Sequence, residues 1–161
     1  MMLDDLYKEI ILDHYKSPRN RGEAPGYDIK ARGLNPLCGD DIEITLTVED
    51  GIIKEARFAG HGCSISQASA SMLTEELEGR SIADAVGLSD RVREMLKGGD
   101  EADADDLGDI EALRGVQKFP VRIKCATLAW NALKLGIQEH ENETSESMDR
   151  TESGAAIFTD E

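Results

Sequence analysis

The spacing of apolar residues predicts a helix followed by strands in the first part of the chain. Apolar side chains recur three and four positions apart over residues 3–15, which predicts an amphipathic helix. Residues 41–48 alternate strictly between polar and apolar side chains, as a half-buried antiparallel strand does. Asp50-Gly51 predicts a hairpin turn, with a return strand over residues 52–59. We expect a further short strand at 27–32.

The second part of the chain changes to helical spacing. A helix is predicted from Ser64 to Gly79, followed by short helices that begin at Ser81 and at about Asp90. Pro120 suits the first position of a last helix. Its inward side is predicted to carry Val121, Cys125, Leu128, Ala132 and Leu135. The pattern predicts an α+β fold, in which helices pack on a small antiparallel sheet of three strands.

The net charge of −15 is concentrated in two stretches. Residues 98–109 carry six acids and no base, and residues 139–161 carry eight acids and one arginine. We therefore predict one folded domain over residues 1–138 with an acidic loop at 98–109. Residues 139–161 are predicted to form a disordered tail because they are polar and lack any helical or strand period.

The overall charge and hydropathy exclude several classes of protein. A strongly acidic chain repels nucleic-acid phosphates and anionic lipids, so we expect neither a nucleic-acid nor a membrane partner. The chain lacks an apolar run of the length that crosses a membrane, about 18 residues or more. The acidic N-terminus lacks the basic region of a secretory signal, which predicts a cytoplasmic protein.

Three cysteines lie at predicted turns or helix starts. Cys38 lies in a turn that ends with Gly39, and Cys63 follows Gly62 at a predicted strand-to-helix junction. Cys125 lies in the first turns of the last helix. An odd number does not fit a disulfide framework. Each cysteine alone is typical of a buried core residue, but the three together favour a common site.

Asp40 adds a carboxylate to these thiols. It lies two residues after Cys38, so both side chains point to the same side of an extended segment. Three thiolates and a carboxylate suit tetrahedral zinc and also a small iron–sulphur cluster. Such thiolates are also able to attack sulphur. His61, in the glycine turn before Cys63, is a further candidate for a ligand or proton carrier.

Several motifs resemble the U-type family of iron–sulphur assembly proteins, which comprises IscU, the N-terminal domain of NifU and SufU. The resemblance extends from about residue 3 to residue 137. The matching motifs are Ile11-Leu12-Asp13-His14-Tyr15-Lys16, Pro18-Arg19-Asn20 with Gly22, Asn35-Pro36, Cys38-Gly39-Asp40, Gly62-Cys63-Ser64-Ile65-Ser66-Gln67-Ala68-Ser69 and Arg122-Ile123-Lys124-Cys125-Ala126.

Two features indicate the SufU branch of this family. IscU-type proteins carry a histidine immediately before the last cysteine, where this chain has Lys124. The SufU branch lacks that histidine and has an insertion between the second and third cysteines. The extended stretch of this chain that contains residues 98–109 matches such an insertion.

The resemblance implies a zinc site at Cys38, Asp40, Cys63 and Cys125. It also implies a zinc-dependent sulphurtransferase that accepts persulphide sulphur from a SufS-type cysteine desulfurase and acts with downstream iron–sulphur assembly proteins. We expect Cys38 to accept the sulphur because its turn is able to move off the metal, and Asp40 to tune the site. Arg122 is expected either near the metal or in a surface salt bridge.

Two alternatives remain open. The first is a scaffold on which a [2Fe–2S] cluster is assembled and then transferred. The second is a structural zinc domain that acts only as an adaptor and leaves desulfurase turnover unchanged.

Overall fold

The structure is a computed structural model that describes residues 2–36, 38–97, 107–145 and 155–158. Its architecture is α+β, as predicted from the sequence. In chain order the elements are α1 (Met2–Lys16), β1 (Ile29–Asn35), β2 (Asp40–Glu49), β3 (Ile52–His61), α2 (Ser64–Leu77), α3 (Ile82–Leu96), a 3₁₀ helix (Gly108–Val116), α4 (Pro120–Ser145) and β4 (Ala155–Phe158).

The sheet has the strand order β3-β2-β1-β4. Strands β1, β2 and β3 form the predicted antiparallel meander. The β2–β3 hairpin turns at Asp50 and Gly51, whose φ angles of +54° and +77° give the turn that this dipeptide favours. The alternation of β2 is also confirmed, since Ile42, Ile44 and Leu46 are buried.

Helix α4 packs closely on β1 because glycines lie at the contact. A Cβ on Gly33 would come within 3.0 Å of the Leu128 side chain, and one on Gly136 would come within 2.8 Å of Ala31. The later residue of β1, Gly33, meets the earlier residue of α4, Leu128. The two elements therefore run in opposite directions, and the beginning of α4 lies at the end of β1. This brings Cys125 to the turn that follows Asn35.

The core joins the helices to the inner face of the sheet. Trp130 is fully buried, and its indole Nε1 donates a hydrogen bond to Ser69 Oγ at 3.0 Å. The Ser69 hydroxyl in turn donates to the carbonyl of Ala126 at 2.6 Å. This chain of hydrogen bonds fixes α4 against α2 directly after Cys125.

Three details differ from the sequence predictions. The region from Ser81 onward is the single helix α3, because Leu88 and Ser89 are buried in mid-helix and Ser89 Oγ donates to the Trp130 carbonyl at 3.3 Å. Val121, expected on the inner side of α4, is 63% exposed. The 3₁₀ helix at residues 108–116 was not expected.

The two acidic stretches are only partly described. Residues 98–106 of the predicted loop lie outside the described residues, but Asp109 contacts His14 in α1. The predicted boundary at residue 138 falls inside α4, which continues to Ser145, and residues 155–158 form β4 parallel to β1. Within the described ranges, no helix combines the length and hydropathy needed to cross a bilayer.

Candidate metal centre

Cys38 lies in the tight connection between β1 and β2, and Asp40 follows this connection. The Cys38 amide donates to the Asn35 carbonyl at 3.1 Å, and Gly39 has a φ of +73°, which a glycine adopts without strain. Asp40 then begins β2 and pairs with Asn35 across the ladder. As a result, the Cys38 thiol is exposed while the Asp40 side chain is buried.

Cys63 caps the N-terminus of α2. Its Sγ accepts a hydrogen bond from the Ser66 amide at 3.4 Å, in the place that a serine or aspartate occupies in other helix caps. Strand β3 ends beside the start of β2, because His61 pairs with Asp41. Cys63 therefore lies next to Asp40.

Cys125 completes the group from the first turns of α4. Its side chain is buried, and its Sγ lies 3.7 Å from Cys38 Sγ. The two sulphurs and one carboxylate oxygen of Asp40 all lie within 4.8 Å of one another. All three cysteines are free thiols.

Hydrogen bonds to one oxygen hold the Asp40 carboxylate in place, and its other oxygen has no hydrogen-bond partner within the described ranges. Oδ1 accepts hydrogen bonds from the Cys63 amide at 2.9 Å and from the Ser66 hydroxyl at 3.2 Å. Oδ2 is buried and has no hydrogen-bond partner among the described residues. A buried carboxylate oxygen without a partner is costly, so the arrangement favours a cation at Oδ2.

The spacing of Cys38 and Cys125 fits two ligands of a tetrahedral metal ion, whereas Cys63 is not one of the donors that lie within 4.8 Å of one another. Zinc–sulphur bonds of about 2.3 Å place two sulphurs about 3.8 Å apart in a tetrahedron. The observed 3.7 Å between Cys38 and Cys125 agrees with this value. Zinc accepts thiolates and carboxylates, and iron–sulphur clusters also bind thiolates, so the donor set alone does not choose between them.

The Cys63 and Cys125 thiols have strongly different proton affinities. The hydrogen bond from Cys125, opposed by burial and helped by the Ser66 amide, lowers the pKa of Cys63 to about 6. The hydrogen bond with Cys63, together with burial, raises the pKa of the Cys125 thiol far above its usual range. The pair therefore favours the proton on Cys125 and the negative charge on Cys63.

This asymmetry predicts proton release when a metal binds, because metal ligands must be deprotonated. Near pH 7 we expect zinc to displace the protons of the ligand thiols that are still protonated, Cys125 among them, and almost none from Cys63. As the pH falls through 6, the Cys63 contribution should rise and the affinity for zinc should fall. Calorimetric titration in buffers of different ionisation enthalpy measures the number of protons released per zinc ion bound. Zinc binding without proton uptake by the buffer would contradict the expectation.

Two residues at this site were not predicted from the sequence. Gly62 leaves no space for a side chain, because a Cβ there would lie 2.5 Å from both Asp40 Oδ1 and Ser66 Oγ. Ser66 connects Asp40 to the α2 cap. The one available signal was their place in the motif around Cys63, since their contacts with Asp40 span more than twenty residues.

The other candidates are not among the donors that lie within 4.8 Å of one another at this site. His61 is exposed at the end of β3, and Arg122 is exposed on the first turn of α4. His14 is buried and takes part in a different network, with Ser71 Oγ at 2.8 Å and Asp109 Oδ2 at 2.9 Å. These bonds join α1 to α2 and to the beginning of the 3₁₀ helix, so His14 serves the packing of the helices.

Comparisons with known proteins agree with this fold and motif order. Residues 6–126 match the family described as NifU-like N terminal domain. The chain is 49% identical over 139 residues to the zinc-dependent sulfurtransferase SufU of Bacillus subtilis, covering 86% of this chain and 94% of that protein. It is 44% identical over 141 residues to the iron-sulfur cluster assembly scaffold protein IscU of Streptococcus pyogenes, covering 87% of each chain.

A solved structure shows the same architecture. The crystal structure of a putative iron-sulfur cluster assembly scaffold protein for the SUF system, from Fervidobacterium islandicum, superposes with a TM-score of 0.76 at 30% identity. The match covers 80% of this chain and 94% of that one. The chain therefore belongs to the NifU-like N-terminal domain family, the U-type proteins of iron–sulphur cluster assembly.

Proposed function

We propose that the protein is a zinc-dependent sulphurtransferase that accepts persulphide sulphur from a SufS-type cysteine desulfurase. The observation that carries this proposal is the difference in exposure among three neighbouring thiols. Cys38 is exposed, Cys63 is half-buried and Cys125 is buried. Cys38 alone among them is open to the persulphide of a partner protein.

Zinc would be held by Cys38, Asp40, Cys63 and Cys125. When bound, it would keep the thiols deprotonated and fix their relative positions. The Asp40 carboxylate contributes its unpaired Oδ2, while Oδ1 stays hydrogen-bonded to the Cys63 amide. Cys63 and Cys125 are anchored by α2 and α4, whereas Cys38 lies in a short connection between strands.

The sulphur transfer is a thiol–disulphide exchange. The Cys38 thiolate attacks the outer sulphur of the desulfurase persulphide, which forms a new sulphur–sulphur bond on Cys38. The original sulphur–sulphur bond breaks, and the desulfurase cysteine leaves as a thiolate. One neutral sulphur atom moves and no external oxidant or reductant is needed.

Exposed apolar side chains beside the site support a protein partner. Phe119 and Val121, at the start of α4, are 52% and 63% exposed. Phe119 also borders a groove of about 560 Å³ between α1 and the beginnings of α2 and α4. Apolar surface of this kind is typical of protein contacts, and we assign it to the desulfurase. The acidic chain is proposed to act in the cytoplasm without binding nucleic acid or membranes.

A scaffold for a [2Fe–2S] cluster is the second candidate function. It is favoured by the 44% identity to the IscU of Streptococcus pyogenes and by the three converging thiols. Lys124 favours the sulphurtransferase, because an ammonium group in place of a histidine is a poor ligand for a metal or cluster.

The proposal is tested by metal analysis and by desulfurase turnover. We expect protein produced with both zinc and iron available to contain about one zinc per chain. It should raise the turnover of a SufS-type desulfurase, and the Cys38→Ala variant should lose this stimulation. A bound cluster that transfers to an apo-ferredoxin would instead establish the scaffold. Stimulation that persists in Cys38→Ala would assign the acceptor role to another cysteine, and zinc without any stimulation would indicate an adaptor.

A further inference from the structure

A small pocket opens beside the Cys38 thiol. It has a volume of about 150 Å³ and lies between the β1–β2 connection and the first turns of α4. It is lined by Asn35, Cys38, Pro120, Val121 and Lys124. Cys125 Sγ lies 3.7 Å from Cys38 Sγ, so Cys38 borders both the ligand group and this pocket.

We propose that this pocket holds the outer sulphur of a Cys38 persulphide and that the Lys124 ammonium binds its negative charge. This inference rests on the proposed function and assigns to Lys124 a role in it. The ligand is thus a sulphur anion that is covalently attached to the protein. Lys124 is then a residue that binds the transferred sulphur and is not a substitute metal ligand.

The dimensions of the pocket suit this guest. A water molecule occupies about 30 Å³ in the liquid, so about 150 Å³ accommodates one additional sulphur atom and a few waters. The outer sulphur reaches the pocket directly, because the cysteine that carries it, Cys38, lines the pocket and is exposed. A persulphide formed on Cys38 can therefore turn from the partner protein into the pocket.

Two polar groups of the residues that line the pocket have no bonding partner within the described ranges. Lys124 is half-buried and has no ion-pair partner among residues 2–36, 38–97, 107–145 and 155–158. Asn35 is 1% exposed, and its Oδ1 has no hydrogen-bond partner within the same ranges. The free ammonium group favours an anionic ligand over an apolar one, and Asn35 Oδ1, which only accepts hydrogen bonds, favours a water molecule that donates to it beside that ligand.

The charge of the guest follows from its chemistry. When Cys38 takes the outer sulphur and the donor leaves as a thiolate, the product is a hydropersulphide, which is more acidic than a thiol and loses its proton to solvent. The resulting negative charge lies on the outer sulphur. The first turns of α4, where Lys124 lies, form the positive end of that helix, which adds to the attraction for an anion.

The inference is tested by measuring how much persulphide Cys38 retains. Wild-type and variant proteins, loaded with zinc, are treated with glutathione persulphide, and the added sulphur on Cys38 is measured by mass spectrometry over time. We expect Lys124→Met to retain about fivefold less than wild type, the size of effect expected for one ion pair at a partly exposed site. Lys124→Arg should retain most of it, and added salt should reduce the difference.

Matched controls separate this role from a structural one. Lys54→Met removes the same charge at an exposed position in β3, near the hairpin and away from the pocket, and should behave as wild type. Zinc content should be unchanged in all variants. Equal retention by wild type and Lys124→Met, or an equal loss in Lys124→Arg, would overturn the inference. Because glutathione persulphide replaces the desulfurase, a failure of desulfurase stimulation is a separate result that bears on the proposed function alone.

Discussion

Asp40→Asn is expected to lower the affinity for zinc by at least about 100-fold, more than the 10–100-fold typical of residues that only support a ligand. The amide oxygen can still accept the hydrogen bonds from the Cys63 amide and Ser66 that Oδ1 accepts now. The unpaired Oδ2, however, becomes an uncharged amide group that cannot ligate zinc. Competition with a chromophoric chelator measures the loss.

Asp41→Asn provides the matched control for this substitution. Asp41 is the next residue along β2, and its carboxylate forms two hydrogen bonds with Arg32 on the exposed part of the sheet, at 2.9 Å and 2.8 Å. Its replacement removes the same charge and should leave zinc affinity within about fivefold of wild type, because exposed ion pairs contribute about 1 kcal/mol or less. Asp40→Asn that retains zinc against the chelator as wild type does would exclude Asp40 as a ligand.

Gly62→Ala is expected to disrupt the same site through packing. The new methyl group would lie 2.5 Å from Asp40 Oδ1 and from Ser66 Oγ, closer than such atoms can approach. Either the Asp40 carboxylate or the start of α2 must move. Because both carry proposed zinc ligands, we expect loss of most bound zinc and a lower free energy of unfolding, by about 1–3 kcal/mol.

Gly87→Ala is the control for a change from glycine to alanine. Gly87 lies in mid-α3, and a Cβ there would meet no atom within 4 Å. Alanine should therefore stabilise the helix, by up to about 1 kcal/mol, without affecting zinc. Metal analysis and chemical denaturation of both variants provide the comparison. Gly62→Ala with normal zinc content and normal stability would show that the contact with Asp40 relaxes without cost.

Local sequence patterns predicted most elements because each pattern reflects short-range physics. The strict alternation over residues 41–48 matches the two faces of β2, and Asp50-Gly51 forms the expected turn. Ser81 caps α3 as expected, since its hydroxyl accepts the Asp84 amide at 3.0 Å. These features depend on residues within a few positions of one another, which the sequence displays directly.

The errors arose where tertiary packing overrides local preference. Two short helices were predicted, beginning at Ser81 and at about Asp90, but α3 is continuous through this region, where Ser89 bonds to the Trp130 carbonyl of a distant helix. Val121 has the right spacing for the inner side of α4, yet it lies at the first turn, beyond the edge of the core, and is exposed. The spacing of apolar residues in a helix does not show where the elements packed against that helix end.

For the candidate site, the sequence by itself determined the chemical types and their local settings. Three cysteines and one aspartate, each in a turn or at a helix start, defined a donor set for zinc or an iron–sulphur cluster, and the motif order indicated the family. Only the tertiary structure decided which of these donors meet and in what state. The reverse packing of α4 on β1 brings Cys125 to Cys38, and the Asp40 bonds to the α2 cap leave one oxygen free. These contacts join residues far apart in the chain, so their distances, burial and exposure arise only when the elements pack together.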